Sequence, residues 1–330
     1  IPGLENEHAS PDFSRLRDAV LRTGRSDRLP FLELFADREI VQAILGRQWQ
    51  SIADEVEFWY RLGYDSCGVS AGLYFHGPRS KAPDTAAISE RDRYWVVDDV
   101  CPITDWHAME SYDWPDPELV TTENIDSAAA VLPEGMGLLL NSSGVLENVM
   151  WLMGYAGLAQ AIYDAPELVQ AMFDQVGGRV YRAMQRVIDH PAIGGIFFGE
   201  DMGFLRQYHF PYLKKIFALV HDHDKFVVLH SCGNLAAIMD DLIDDVKIDA
   251  KHSYEDAIMP VAEFKKTYGK RVGVVGGIDV DALSRMEEPD LRKYVRRTLE
   301  QCVPGGGYAL GSGNSVANYC KIENYLAMLD

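Results

Sequence analysis

Long apolar runs are missing from this chain. No window approaches about eighteen uninterrupted apolar residues, so no membrane span is expected. Positive charge is scarce: 31 Lys and Arg stand against 50 Asp and Glu, a net charge of −19 at pH 7. Nucleic-acid backbones need clustered cations, so a nucleic-acid partner is not expected either. Cysteine is sparse and odd in number, five residues scattered over 330, unlike a secreted disulfide framework. Ile1 to Ser10 lack the basic and apolar regions of a signal peptide, and a cytoplasmic setting is expected. Phosphate cradles are also missing, since neither Gly276-Gly277 nor Gly305-Gly306-Gly307 fits G-x-G-x-x-G or a P-loop. There is no nucleophile elbow, no internal repeat and no Pro/Gly/Ser linker that would divide the chain into two domains.

What is present is a sizeable core: 47% of residues are apolar, with six Trp, sixteen Tyr and thirteen Phe. Eight short apolar segments recur, each closing on small or polar residues. They run Leu29 to Ala36, Cys67 to Phe75, Gly135 to Leu140 and Gly195 to Phe198 in the first half. Phe226 to Leu229, Ile248 to Ala250, Val272 to Val275 and Tyr308 to Leu310 follow. Helical patterns lie between them, over Arg38 to Leu62, Glu147 to Asp189, Asn234 to Asp245, Pro260 to Tyr268, Asp281 to Gln301 and Ser315 to Asp330. Strand-then-helix alternation with continuously apolar strands predicts a parallel sheet covered by helices. Eight units predict an α/β fold closed into a single (β/α)8 barrel over residues 1–330, an open sheet being the alternative. An insertion of about 76–133, rich in aromatic residues, follows the second strand and could form a lid.

In such a barrel the residues just past the strand ends converge on one pocket. The candidates are Glu33, Asn141, Glu200, Asp201, His230, Cys232, His252, Tyr254, Asp279, Ser312 and Asn314. His230 and Cys232 stand two residues apart at a strand end, so both side chains face one side. Neutral imidazole and thiolate are the ligands zinc prefers. A third ligand is needed, and Glu200, Asp201, His252 and Cys320 are open for the role. Glu200 and Asp201 could also orient a ligand or act as general base, or simply cap the next helix. His221 and His223 precede a strand, at the wrong end of the barrel. Cys67, Cys101 and Cys302 read as packing residues. Gly311 to Asn314 follow their strand, where backbone N–H groups could hold an anion.

The stretch Val227 to Met328, with LHSCGNL, IDAKHSYED, VGGID and GGYALGSGNS, resembles the uroporphyrinogen decarboxylase and corrinoid methyltransferase superfamily. RLPFLEL and GEDMGF add to the likeness, which spans nearly the whole chain. The resemblance implies a (β/α)8 barrel and one of two chemistries. Its methyltransferases hold zinc through a His-x-Cys and a later Cys, and take methyl groups from a corrinoid protein. His230 and Cys232 match the first pair, but no Cys stands near Gly311 to Asn314, and Cys320 comes later. Its decarboxylases use no cofactor and bind an acidic tetrapyrrole through arginines. Here the early signature keeps Arg28 and Pro30 but lacks the Trp and the later arginines, and Glu33 and Asp37 bring negative charge instead. The resemblance also implies a further loop between Phe204 and Leu205, where this sequence runs on directly, through a real deletion or a loop left out of it.

The leading expectation is a zinc-dependent methyltransferase or demethylase acting on a small molecule with a methyl-corrinoid partner protein. His230 and Cys232 would be ligands, with Glu200 or His252 completing the set, and Glu33, Asn141, Tyr254, Asp279, Ser312 and Asn314 placing substrate. The alternatives are a cofactor-free decarboxylase and a non-catalytic ligand-binding barrel. A homodimer is the expected assembly.

Overall fold

The structure is a computed structural model describing residues 10–24, 26–70, 72–77, 79–84, 86, 88–89, 92–96, 101–200 and 206–330. Strands β1 (Ser66–Ser70), β4 (Gly137–Ser143), β5 (Ile193–Gly199), β6 (Phe226–His230), β7 (Ala250–His252), β8 (Gly273–Val275) and β9 (Tyr308–Ala309) form one sheet. They lie in chain order, parallel throughout, with a helical connection between most neighbours. A separate antiparallel hairpin, β2 (Arg79–Pro83) and β3 (Asp92–Val96), belongs to the inserted segment. That segment also supplies the helices Trp106–Ser111 and Glu123–Ala129.

The sheet curls because its two faces are filled differently. Leu138, Leu140, Ile196, Phe198, Val227, Leu229 and Val274 point outward into the helix layer. The alternate residues Leu139, Phe197, Phe226, Val228, Ala250, Val275 and Ala309 point inward, where Leu16 and Val20 of the helix Phe13–Leu21 plug the floor. Phe13 stacks on Phe226 there, ring centroids 5.8 Å apart. Burying a side chain of that size contributes about 2–3 kcal/mol. Two residues further along each strand, the inward register passes to Asn141, Gly199, His230 and His252. The polar pocket is thus a continuation of the apolar interior.

The eight-stranded barrel expected from the sequence forms in part, as a curled parallel sheet of seven strands. The first expected strand, 29–36, touches β9 and the loop after it only through isolated parallel bridges, Phe31 to Leu310 and Ala36 to Val316. Pro30 has no N–H to give to a ladder, and its carbonyl accepts from Leu310 N at 2.9 Å. Among the described residues, segment 30–36 has no backbone ladder to β1, so the sheet is a seven-stranded curl with an eighth position held at one edge. The second expected strand stops at Ser70. The single helix expected over 281–301 is two, Val280–Arg285 and Glu288–Cys302, because Pro289 starts the second as an N-terminal helix residue. At the C-terminus only Ile322–Leu329 is helical. Among the described residues no helix is long and apolar enough to cross a membrane.

Candidate active site at the carboxyl end of the sheet

A cavity of about 650 Å3 opens at the carboxyl ends of the strands. Asn141, Glu200, His230, Cys232 and Asn314 line it together with Phe35, Tyr74 and Trp151. At its floor, adjacent strands β6 and β7 pair His230 with His252 in register.

Those two rings form a relay whose direction can be deduced. His252 Nε2 lies 3.1 Å from the carbonyl oxygen of Ser312. A carbonyl can only accept, so this nitrogen carries a proton. His252 is fully buried, which holds its pKa well below the usual imidazole value. The neutral ring therefore has a bare Nδ1. Its partner, His230 Nδ1, is 2.8 Å away and must donate. His230 is then left with a bare Nε2, and that atom lies 3.6 Å from Cys232 Sγ. Burial, helped by the nearby Lys251 charge, lowers His230 to about 4. Gly276, with φ +83°, makes room for the relay: a Cβ there would lie 2.7 Å from His252 Cδ2.

The 3.6 Å separation is informative. Two ligands of a tetrahedral zinc, with bonds of about 2.05 Å to nitrogen and about 2.3 Å to sulfur, stand about 3.6 Å apart. The donor pair is thus spaced as that ion requires, with the His230 Nε2 lone pair facing the sulfur. The same pair is poorly suited to a thiolate–imidazolium couple, because a ring lowered to about 4 resists taking the thiol proton. Asn314 Nδ2 donates to Cys232 Sγ at 3.4 Å, and Ser253 Oγ lies 3.8 Å from it.

No third ligand joins them: among the described residues no group of three His, Cys, Asp or Glu side chains is placed to hold a metal. Both Glu200 oxygens are taken, accepting from Val145 N at 2.6 Å, Leu146 N at 3.1 Å and Glu147 N at 2.9 Å. Glu200 therefore caps the helix Val145–Met153, and a Cβ at Gly144 would collide with its carboxylate. Burial still raises its pKa to about 8 against the pull of those amides. His252 has both ring nitrogens engaged. Cys320 is buried beside Ser284, whose hydroxyl lies 3.7 Å from its sulfur. Asp201, like the junction of Phe204 and Leu205, lies outside the described residues.

Several expected substrate residues serve the scaffold instead. Asp279 caps the helix Val280–Arg285 through Asp281 N and also accepts from Asp256 N. Tyr254 donates to the Lys251 carbonyl and is buried in the helix layer. Glu33 is buried at the sheet edge, accepting from Ser312 N at 2.8 Å and Ser312 Oγ at 2.5 Å. Sequence reasoning missed Arg79, Tyr74 and Trp151 on the cavity wall: Arg79 belongs to the inserted hairpin, Tyr74 follows the end of β1, and Trp151 lies on the helix Val145–Met153, so none is marked by a polar strand end. It also missed Lys251, buried on β7 with its ammonium over the Tyr254 ring at 4.2 Å. His221, read as lying at the other end, precedes β6 and binds Asp249 at 2.8 Å.

Parallel strands with a polar pocket at their carboxyl ends define an enzyme-type α/β scaffold of the barrel class. The sequence places it further: residues 96–330 match the uroporphyrinogen decarboxylase (URO-D) family, and the chain belongs to that family. A methyltransferase from Methanosarcina mazei has the same fold, with a TM-score of 0.70 at 15% identity over 96% of each chain. A GH27 β-L-arabinopyranosidase from Geobacillus stearothermophilus overlaps more loosely, with a TM-score of 0.41 at 11% identity, over 92% of this chain and 75% of its own. No curated protein sequence matches the chain.

Proposed function

We propose that this URO-D family protein is a zinc-dependent methyltransferase or demethylase that works with a corrinoid protein. The observation that carries the reading is the 3.6 Å between His230 Nε2 and Cys232 Sγ at the floor of the cavity. His230 and Cys232 would hold the ion, and substrate would enter from the open side. Bound zinc supplies a lowered thiol pKa, which keeps a substrate thiol in its nucleophilic form.

The chain's own residues do the rest. His252, anchored on the Ser312 carbonyl, keeps the His230 lone pair on Nε2. Asn314 orients the sulfur, and Asn141 is placed to meet a polar substrate group. Phe35, Tyr74 and Trp151 give the wall its aromatic surface. A corrinoid partner would meet an acidic molecule at this mouth, the net charge being −19. Decarboxylation of a polycarboxylate has less support, since Arg79 is the only Lys or Arg among the described lining residues.

Elemental mass spectrometry of the purified protein tests the proposal. About one zinc per chain is expected, retained through gel filtration and lost in His230→Ala and in Cys232→Ala. A folded wild type that takes up no zinc when the ion is supplied would sink the reading.

A further inference from the structure

We infer that the cavity selects a small organic anion with an apolar body, and that Arg79 of the inserted hairpin reads its charge. This rests on the cavity being the substrate site, as proposed above, but not on the metal.

Arg79 and Lys81 are exposed and lie two residues apart on β2, so they share one face of the hairpin. Their situations differ. Lys81 is neutralised by Asp92, 2.5 Å away on β3. Arg79 stands opposite Val96, and no hydrogen bond or ion pair engages its guanidinium among the described residues. It instead lines the cavity that holds His230 and Cys232. Two carboxylates share that wall, yet neither pairs with it. Glu200 is sealed by three amides, and Glu147 has contacts of its own.

The arginine is also held in place from both sides. Three residues before it, the His76 backbone is clasped by Tyr112, whose hydroxyl accepts from His76 N at 2.7 Å and donates to His76 O at 3.0 Å. Just past the strand, Asp84 accepts from Asn318 Nδ2 at 2.6 Å, and Asn318 N is bound to Asp37 at 2.8 Å. The hairpin is thereby strapped to the loop that follows β9. The guanidinium is thus carried on an anchored stretch of chain with its donors unpaired among the described residues, open to the bidentate grip of an anion. Phe35, Leu73, Tyr74 and Trp151 line the same cavity, a surface suited to a hydrocarbon or aromatic body. An acidic protein repels anions at long range, so one unpaired cation inside the pocket decides which charge enters.

Titration calorimetry with benzoate and its neutral counterpart benzyl alcohol tests this, on wild type with and without EDTA, on Arg79→Gln and on Arg79→Lys. Benzoate should bind more tightly than benzyl alcohol and more weakly as salt rises. Arg79→Gln should weaken benzoate by about tenfold or more and leave benzyl alcohol unchanged, with Arg79→Lys recovering part of the loss. The preference for the anion should persist when the wild type is measured in EDTA, so failure of the zinc reading would leave this result standing. Thermal melting confirms that each variant is folded. Equal benzoate affinity in wild type and Arg79→Gln overturns the inference, as does a wild type that does not prefer benzoate or binds neither compound at millimolar concentration.

Discussion

Glu33 and Glu200 are both buried at the same end of the sheet, and burial pushes both to about 8, yet their surroundings differ in kind. Glu200 sits on the well-laddered side, between β5 and the helix Val145–Met153, where its partners among the described residues are three backbone amides. An N–H can donate but not accept, so these partners favour the carboxylate over the acid and work against the burial. Glu33 sits at the poorly laddered edge, where segment 30–36 meets β9 through isolated bridges. Its partners are Ser312 N and two hydroxyls, Ser312 Oγ and Tyr64 Oη, the last 3.4 Å away and itself 2.8 Å from Tyr325 Oη. Hydroxyls accept as readily as they donate, so this site holds either form of the acid. Where the ladder is continuous, a side chain finishes a helix. Where the ladder fails, a side-chain network takes its place.

The largest effect should come from Glu200→Ala. It strips the caps from three amides, two of them on buried residues, with a loss of about 2–4 kcal/mol after allowing for water entering from the cavity. Urea denaturation measures this, and a loss under about 1 kcal/mol would show that the helix needs no such cap. A smaller step separates the two sites more sharply. Glu200→Gln turns an NH2 toward amide donors and should cost about 1–2 kcal/mol. Glu33→Gln can give its oxygen to Ser312 N and its NH2 to a hydroxyl, and should cost under about 1 kcal/mol. Equal losses in the two Gln variants would mean that partner chemistry does not distinguish the sites.

Much of this scaffold was legible in the chain because strands buried on both faces announce themselves. FVVL at 226–229 and LLL at 138–140 became β6 and β4 with the inward set alternating as expected. His230 and Cys232 were legible for the same reason, since a strand end fixes where an i, i+2 pair points. Segment 29–36 looked like a strand by composition, but Pro30 and the buried Glu33 replace its ladder with a network that no local pattern encodes. The role of Glu200 depends on the approach of a helix start 55 residues earlier in the chain, and Arg79 depends on where a hairpin folds back. Neither contact has a spacing that the sequence displays. His252 was singled out as a ligand candidate, while its partnership with the Ser312 carbonyl, sixty residues away, needed the closed edge of the sheet to appear.

The finest distinction is in the pH dependence of stability. A glutamate near 4.5 when unfolded and about 8 when folded keeps its proton in the native state across that interval. The native chain then binds more protons than the unfolded one, so stability falls as pH rises. The contribution is complete below about 4.5 and is lost as pH passes through about 8. Glu33→Gln cannot titrate, so its urea midpoint should fall less between pH 5 and pH 8 than the wild-type midpoint does. Glu200, raised to about 8 in spite of its three amides, should add a comparable slope. Glu200→Gln should therefore flatten the profile about as much as Glu33→Gln does, while also lowering the whole curve. If Glu200→Gln leaves the wild-type slope unchanged, the three amides hold Glu200 ionised across the interval and the proton is kept at the sheet edge alone.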